Sequence, residues 1–318
     1  MNDGRDSSIA VLAINPAVDI SYEVSQLVPD RKVRAERTSY YPGGNGINVA
    51  RALAELGSPF RCCSVVGGES GDLLLRLLGD SLGESHSVFR VDGETRVNST
   101  VHQKSPSTQY EIDSSGPDIP ADTLDEIDRC FLSACGNGYG VLTGSTPPGV
   151  PETHRRQLAE QIGAQGGRAV VDAYGPILAE ALQANPFLLR LNRYVLEMTA
   201  MQRLESLETV AVEARKLQQG GVGHVCISLA SKGAILVDAD NSYHCAAPRM
   251  HVQSTVGCGD ALLAGLVNAA SRGEDASAML RLGVMCGSAT AGHPGTEMFR
   301  LEDLEQLGDK VEVTTLGI

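Results

Sequence analysis

The sequence predicts an α/β fold in which a mainly parallel sheet carries helices on both faces and a small β-sheet stands off it as a lid. Three observations lead there. Short apolar runs of strand length recur at residues 60–66, 140–143, 169–172, 187–191 and 225–229. Helix-period segments such as 153–162 and 207–218 lie between them. Buried short strands alternating with helices mark a parallel sheet covered on both sides. Two earlier stretches, 33–41 and 96–103, instead alternate polar and apolar residues, and 108–112 continues in that style. Such alternation marks half-exposed antiparallel strands.

Taken in order, the run 9–14 is a buried strand that ends at Asn15-Pro16, with Asp19 just beyond. The alternating segments give the lid, drawn from about residues 17–41 and 95–113, and all 318 residues form a single domain. An exposed sheet of that kind needs cover, and a second subunit's copy supplies it, so a homodimer through the lid is expected. Between the lid segments lies Tyr41-Pro42-Gly43-Gly44-Asn45-Gly46-Ile47-Asn48, followed by a helical face of Val49, Ala50, Leu53 and Leu56 that stops at Gly57. The glycines let the backbone pass close to a ligand, and Asn48 points an amide the same way. Residues 233–237 and 251–256 read as a further strand pair, and 276–291 as a small-residue helix packed on the one before it. Ligands of such sheets sit beyond the carboxyl ends of the strands, where Asp19, Ser145, Asn192, Ser228 and Asp260 converge.

A net charge of −13 argues against nucleic acid or an anionic membrane as partner. An anionic small substrate needs a local basic cluster. No apolar run approaches the ~18 residues of a membrane span, and the polar start is not a signal peptide. The eight cysteines include no Cys-x-x-Cys pair and read as reduced thiols of a cytoplasmic protein, and the histidines show no metal-ligating spacing, so no protein metal site is expected. The first strand is not followed by the dinucleotide Gly-x-Gly-x-x-Gly pattern, and no Lys is preceded by Gly, which excludes a Walker-type loop.

The chemistry concentrates at Gln253-Ser254-Thr255-Val256-Gly257-Cys258-Gly259-Asp260. A Gly-x-Gly turn that opens a helix exposes unpaired N–H groups at the positive end of the helix dipole, which makes an anion site. Asp260 stands at its mouth as a candidate general base, with Gly257, Cys258 and Gly259 as the anion hole. An N-capping Asp after a glycine turn is the structural alternative.

These segments together resemble the PfkB, or ribokinase-like, family of carbohydrate kinases over roughly residues 9–307. Gly43-Gly44-Asn45-Gly46-Ile47-Asn48 looks like its first signature and Ser254-Thr255-Val256-Gly257-Cys258-Gly259-Asp260 like its second. Asn15-Pro16-Ala17-Val18-Asp19, Gly144-Ser145-Thr146-Pro147-Pro148-Gly149-Val150 and Pro294-Gly295-Thr296 complete the ordered set. Lys32-x-Arg34, Thr95-Arg96-x-Asn98 and Arg281-Leu282-Gly283-Val284 are similar to the hexose-phosphate branch, the phosphofructokinases and tagatose-6-phosphate kinases. The resemblance implies a ribokinase-like fold and ATP-dependent phosphorylation of a ketohexose phosphate such as fructose 6-phosphate or fructose 1-phosphate. It implies Asp19, Lys32, Arg34, Gly43, Gly44, Asn48, Arg96 and Ser145 around the sugar phosphate, with Lys32, Arg34 and Arg96 as the basic cluster. It implies Asn192, Ser228, Gly233, Thr255, Gly257, Gly259, Val284, Gly287 and Ser288 around ATP. Mg²⁺ would travel on the phosphates, and a monovalent cation near the central turn is common in the family, although the residues do not establish one.

Some positions depart from the pattern. The family's Asn-x-x-Glu reads Asn192-Arg193-Tyr194-Val195 here, and Glu197 would point to a different face. Arg190-Leu191 replaces Lys-Pro, Cys258 replaces Ala, and Asn45 stands where several relatives carry Lys or Gly. Ala230 stands where a Gly is usual, at a cost of about 1 kcal/mol if that position needs a positive φ. Two alternatives follow: a catalytically impaired protein that binds sugar phosphate or nucleotide, and a kinase of a neutral sugar.

Overall fold

The computed structural model describes residues 8–317. Its first half contains β1 (Ile9–Ala13), β2 (Ala17–Val24), β3 (Arg37–Gly43), α1 (Asn45–Glu55), β4 (Phe60–Val66), α2 (Gly68–Leu78), β5 (His86–Arg90), β6 (Arg96–Gln103), β7 (Thr108–Ile112), α3 (Ala121–Cys135) and β8 (Tyr139–Leu142). The second half contains α4 (His154–Ala164), β9 (Arg168–Asp172), α5 (Gly175–Leu182), β10 (Leu188–Asn192), α6 (Arg193–Ala200), α7 (Leu207–Gln219), β11 (His224–Ser228), β12 (Ala234–Val237), β13 (Ser242–Cys245), α8 (Cys258–Ser271), α9 (Ala276–Ala291), α10 (Leu301–Leu307) and β14 (Val313–Leu316).

Ten strands make one sheet in the order β14-β13-β12-β11-β10-β9-β8-β1-β4-β5. From β11 to β5 neighbouring strands run parallel, and β12, β13 and β14 extend the sheet antiparallel. Successive residues of a strand face opposite sides. Val11, Val170 and Leu188 accordingly join a core with α1, α8 and α9, whereas Leu12, Val171 and Leu189 join another with α3, α4 and α7. Near-continuous Val, Leu and Ile in these strands are what two buried faces demand. Among the described residues no helix is long and apolar enough to cross a membrane, and none of the eight cysteines forms a disulfide.

The second sheet has four strands, in the order β3-β2-β6-β7. It is mixed rather than wholly antiparallel as the alternation predicted: β2 pairs with β6 in parallel, because the chain crosses through α1, β4, α2 and β5 between them. Its base rests on α2 through a cluster that includes Val18, Ile47, Val66 and Leu74. Residues directly opposite in a ladder share a face. Register therefore puts Ile20, Tyr40, Ser99 and Ile112 on one side, and Asp19, Tyr41 and Asn98 on the other.

Two other expectations fail locally. The strand expected over 33–41 begins only at Arg37, and residues 25–36 form an exposed loop apart from the half-buried Val33. Residues 251–256 form no strand, and Ser242–Cys245 is the true partner of β12. The 251–256 segment instead lies on the end of α9, where the Gln253 N–H donates to the Ala291 carbonyl at 2.8 Å. Its apolar spacing resembles a strand, but its neighbour is a helix terminus.

Candidate active site

Strand parity builds the floor of the site. Val170, Leu188 and Cys226 face α8. Two residues further along, the same parity places Asp172 and Ser228 at the carboxyl ends of β9 and β11, and Arg190 in the middle of β10 between them, on that same face. Arg190 Nη1 donates to Asp172 Oδ2 at 3.0 Å and Nη2 donates to Ser228 Oγ at 3.1 Å. Burial works against the Arg190 charge, but Asp172 and Asp260 more than offset it, and its pKa moves up.

Above this floor α8 begins. Gly257 is its N-cap at φ 79, a left-handed conformation that glycine adopts without penalty. A side chain at Gly259 would overlap the Arg190 guanidinium, so the turn sits directly on that cation. The first N–H groups of a helix have no partner within it, so Cys258 and Gly259 present donors over Arg190. Asp260, in the first turn, is 4% exposed. Burial raises its pKa to about 7, against two hydrogen bonds that lower it: Asn48 Nδ2 to Oδ2 at 2.9 Å and Asn45 Nδ2 to Oδ1 at 2.8 Å. A carboxyl poised near neutral pH suits a general base.

Both amides come from the opening turn of α1, which follows the small sheet through Gly43 and Gly44. A side chain at Gly43 would overlap the Asp19 carboxylate, so backbone and acid are in contact there. Asp19 Oδ1 accepts from Asn98 Nδ2 at 3.0 Å. Burial raises the Asp19 pKa, with Asn98 and Arg96 opposing. Arg51 ties α1 to this corner, donating to the Thr296 carbonyl at 2.8 Å and the Pro42 carbonyl at 3.2 Å.

Arg96 is 8% exposed and donates to the carbonyls of Asn15 at 3.1 Å and Ser114 at 3.3 Å. It borders an open cleft of about 450 Å³ lined also by Ser70, Glu94, Ser114 and Gly116. Ser145, beyond β8, accepts from Asn15 Nδ2 at 2.8 Å. Lys32 and Arg34 do not join Arg96. Their loop is tied at both ends to the far end of the inner strands β2 and β6, through Leu27 N–H to Gln103 Oε1 and Glu36 N–H to the Glu23 carbonyl. Arg96 opens β6 and Gln103 closes it, about 23 Å apart at strand rise.

Of the expected nucleotide residues, Asn192 caps α6, Ser228 meets Arg190, Thr255 is exposed and Ser288 half-buried. Val284 is packed in the core. Gly287 lets α9 approach the Cys258 carbonyl, and Gly233 packs against the Cys245 carbonyl. Val195 also packs on the core, and Glu197 turns away to Arg193 and the Leu204 N–H. Among the described residues no three His, Cys, Asp or Glu side chains converge as a metal site.

Sequence reasoning gave Asn48 to the sugar, whereas its amide binds Asp260. The expected site residues did not include Asn15, Asn98 or Asp172, and Asn45 and Arg190 stood only among the departures from the family pattern, Asn45 for its bearing on which sugar phosphate is preferred. The Asn45-x-x-Asn48 spacing, which stacks two amides on one helix face, was the signal for Asn45.

A buried carboxylate at a glycine-turned helix N-terminus, above a cation that pairs with an acid of the neighbouring strand, is the arrangement of an α/β phosphoryl-transfer site. The pfkB family carbohydrate kinase model matches residues 8–302, and the chain belongs to that family. It is 31% identical to the ATP-dependent 6-phosphofructokinase isozyme 2 of Escherichia coli K12 over 303 residues, which are 94% of this chain and 97% of the relative. It is likewise 31% identical to the 1-phosphofructokinase of Bacillus subtilis 168 over 310 residues, 97% of this chain and all of the relative. The crystal structure of Escherichia coli phosphofructokinase-2 in complex with substrates and products superposes with a TM-score of 0.86 at 30% identity, covering 95% of this chain and 98% of the other.

Proposed function

We propose that the protein transfers the γ-phosphoryl group of ATP to a free hydroxymethyl group of fructose 6-phosphate or fructose 1-phosphate, with Asp260 as general base. The observation that carries this reading is the Asp260 carboxylate, buried at the mouth of the Gly257–Gly259 turn with a proton affinity near neutrality. The sugar hydroxyl gives its proton to Asp260 as its oxygen bonds to the γ-phosphorus. The bond from that phosphorus to the bridging oxygen breaks, and its electron pair leaves with ADP. The N–H groups of Cys258 and Gly259, with Arg190 beneath, face the charge that develops.

Asp19, Asn98 and the Gly43 backbone suit the sugar hydroxyls. Arg96, with Ser145 near it, suits the phosphate already on the substrate. Asn192, Ser228, Thr255 and Ser288 border the nucleotide. The ten-stranded body and the small sheet work as one catalytic unit. A divalent metal carried on the nucleotide phosphates would neutralise part of their charge during such a transfer. Eight cysteines without a disulfide fit a reducing, cytoplasmic setting.

The small sheet is also a dimer surface. One face lines the narrow gap between Asp19, Tyr41, Val256 and Gly295. The opposite face leaves Tyr40, Val97, Tyr110 and Ile112 exposed, with Ile112 at 62%. A second copy's sheet is the occupant that matches this apolar face.

A coupled ADP-release assay over fructose 6-phosphate, fructose 1-phosphate and tagatose 6-phosphate tests the reading. Saturable turnover with a fructose phosphate is expected. Val195, apolar and packed where the family carries Glu, favours a second reading: sugar-phosphate binding without turnover. Tight ATP binding with no turnover on any of the three would select it.

A further inference from the structure

The Asp260 carboxylate is held from two sides that differ in access. Asn48 is 3% exposed, and its bond to Oδ2 is buried. Asn45 is half-buried at the first position of α1, and its bond to Oδ1 is only partly buried. A carboxylate oxygen accepts two hydrogen bonds, so each oxygen has one site left. Of the two partners only Asn45 reaches the surface, so an incoming hydroxyl approaches from the Oδ1 side.

Asn45 stands beside that path. It follows Gly43 and Gly44, where the small sheet meets Asp19, and its side chain lies across from Gly144, next to Ser145. The chain thus links the proposed sugar grip to the proposed base through three consecutive residues. Resting on the kinase reading above, we propose that Asn45 is a positioning residue for the base: its amide fixes Oδ1 so that the remaining lone pair faces the sugar hydroxyl, and it stabilises the ionised carboxylate that must receive the proton.

The charges facing Asp260 leave work for this amide. Asp172 at the end of β9 opposes ionisation and Arg190 on β10 favours it, and burial opposes it most strongly. Asn45 and Asn48, from α1, supply the hydrogen bonds that act against burial. Removing one donor to a buried anion raises its proton affinity by about one pH unit.

The test is the pH profile of kcat/KM for the fructose phosphate that turns over, in wild type and Asn45→Ala. The acid limb is expected to move up by about one unit, so that the deficit at about pH 6 exceeds that at about pH 9 roughly tenfold. Asn45→Asp keeps the size but replaces the donor with a like charge, and its limb should move further. A uniform loss at every pH, or a limb within about 0.3 unit of wild type in both variants, would overturn the proposal, since a merely structural role moves no limb. If wild type turns over no sugar phosphate, the kinase reading fails by itself. Carbon-13 titration of the Asp260 carboxyl in the same proteins then still decides whether Asn45 tunes it, and an unmoved titration rejects the role.

Discussion

The α8 turn and the four-stranded sheet are built to opposite specifications. From Asp260 to Ser271 every residue of α8 is buried, between the central sheet and α9. Every residue of β7 is exposed, and β3 is buried only where it meets α1. Dense packing opens locally only at high free energy, whereas a thin sheet with few apolar contacts moves readily. The proposed base therefore stands on the most densely packed part of the molecule, and the proposed sugar grip on the sheet that we propose closes over the ligand. The division follows from chemistry: proton transfer tolerates little misplacement, and capture requires an entrance.

If that division is right, damage to the two regions should separate in kinetics. The largest effect belongs to α8. Asp260→Asn should lower kcat by at least ~10²-fold while sugar-phosphate and ATP binding, followed calorimetrically, persist. Retained activity would remove Asp260 from the chemistry. Next comes Arg96→Ala, expected to raise KM for the sugar phosphate by roughly 10- to 100-fold with a smaller change in kcat, because a charge-assisted contact to the substrate's own phosphate is lost. An equal fall in kcat would show that Arg96 acts at the reacting centre, or that it mainly supports the Asn15 and Ser114 carbonyls. Lys32→Ala and Arg34→Ala extend the contrast, because their loop lies at the end of β2 and β6 away from Arg96: they should matter only to the extent that a second subunit brings them to a site. Ile112→Asp, read by sedimentation, should shift the protein toward monomer if the exposed face is the dimer surface.

Buried parallel strands carry their own signature, since Val, Leu and Ile occupy both faces, and the runs at 60–66, 169–172 and 225–229 were legible within a residue or so. The glycine turn before Asp260 was legible because helix starts and positive φ restrict composition. Partners distant in sequence were not. Nothing in a linear pattern says that Asn45 meets Asp260 across 215 positions, or that Asp172 and Arg190 share a floor. Basic residues were the least readable. Lys32, Arg34 and Arg96 have the same chemistry in the sequence, yet strand register sends one inward and leaves two on a distant loop.

A smaller effect sets function against stability at Asp260 itself. Its carboxyl ionises near 3.8 in the unfolded chain and near 7 when folded, so folding favours the proton. Stability from this group is fully present below the unfolded value, falls as pH rises across that window, and levels off above the folded value. Asp260→Asn carries no charge to bury. It should therefore melt higher than wild type at about pH 8, with the gap narrowing toward about pH 4. A gap independent of pH would mean that the carboxylate is not strained by burial.

The smallest effect lies at the turn between β11 and β12. Ala230 is exposed and has φ 52, held there by the Leu229 N–H to the Gly233 carbonyl at 2.7 Å and the Gly233 N–H to the Ala230 carbonyl at 3.0 Å. An alanine in the left-handed region carries a steric cost of about 1 kcal/mol that glycine avoids, while glycine loses more backbone entropy on folding. Relief of the clash should prevail, because the two hydrogen bonds fix the backbone there whatever the residue. Ala230→Gly is expected to stabilise the protein by a few tenths to about 1 kcal/mol, seen as a rise of about 1–3 °C in Tm. The turn follows Ser228, which Arg190 contacts beneath the Gly257–Gly259 turn, so a change in kcat alongside that modest rise would show that the strained turn bears on the proposed nucleotide end of the site. A rise in Tm alone would make Ala230 a purely local cost, carried on the loop without reaching α8.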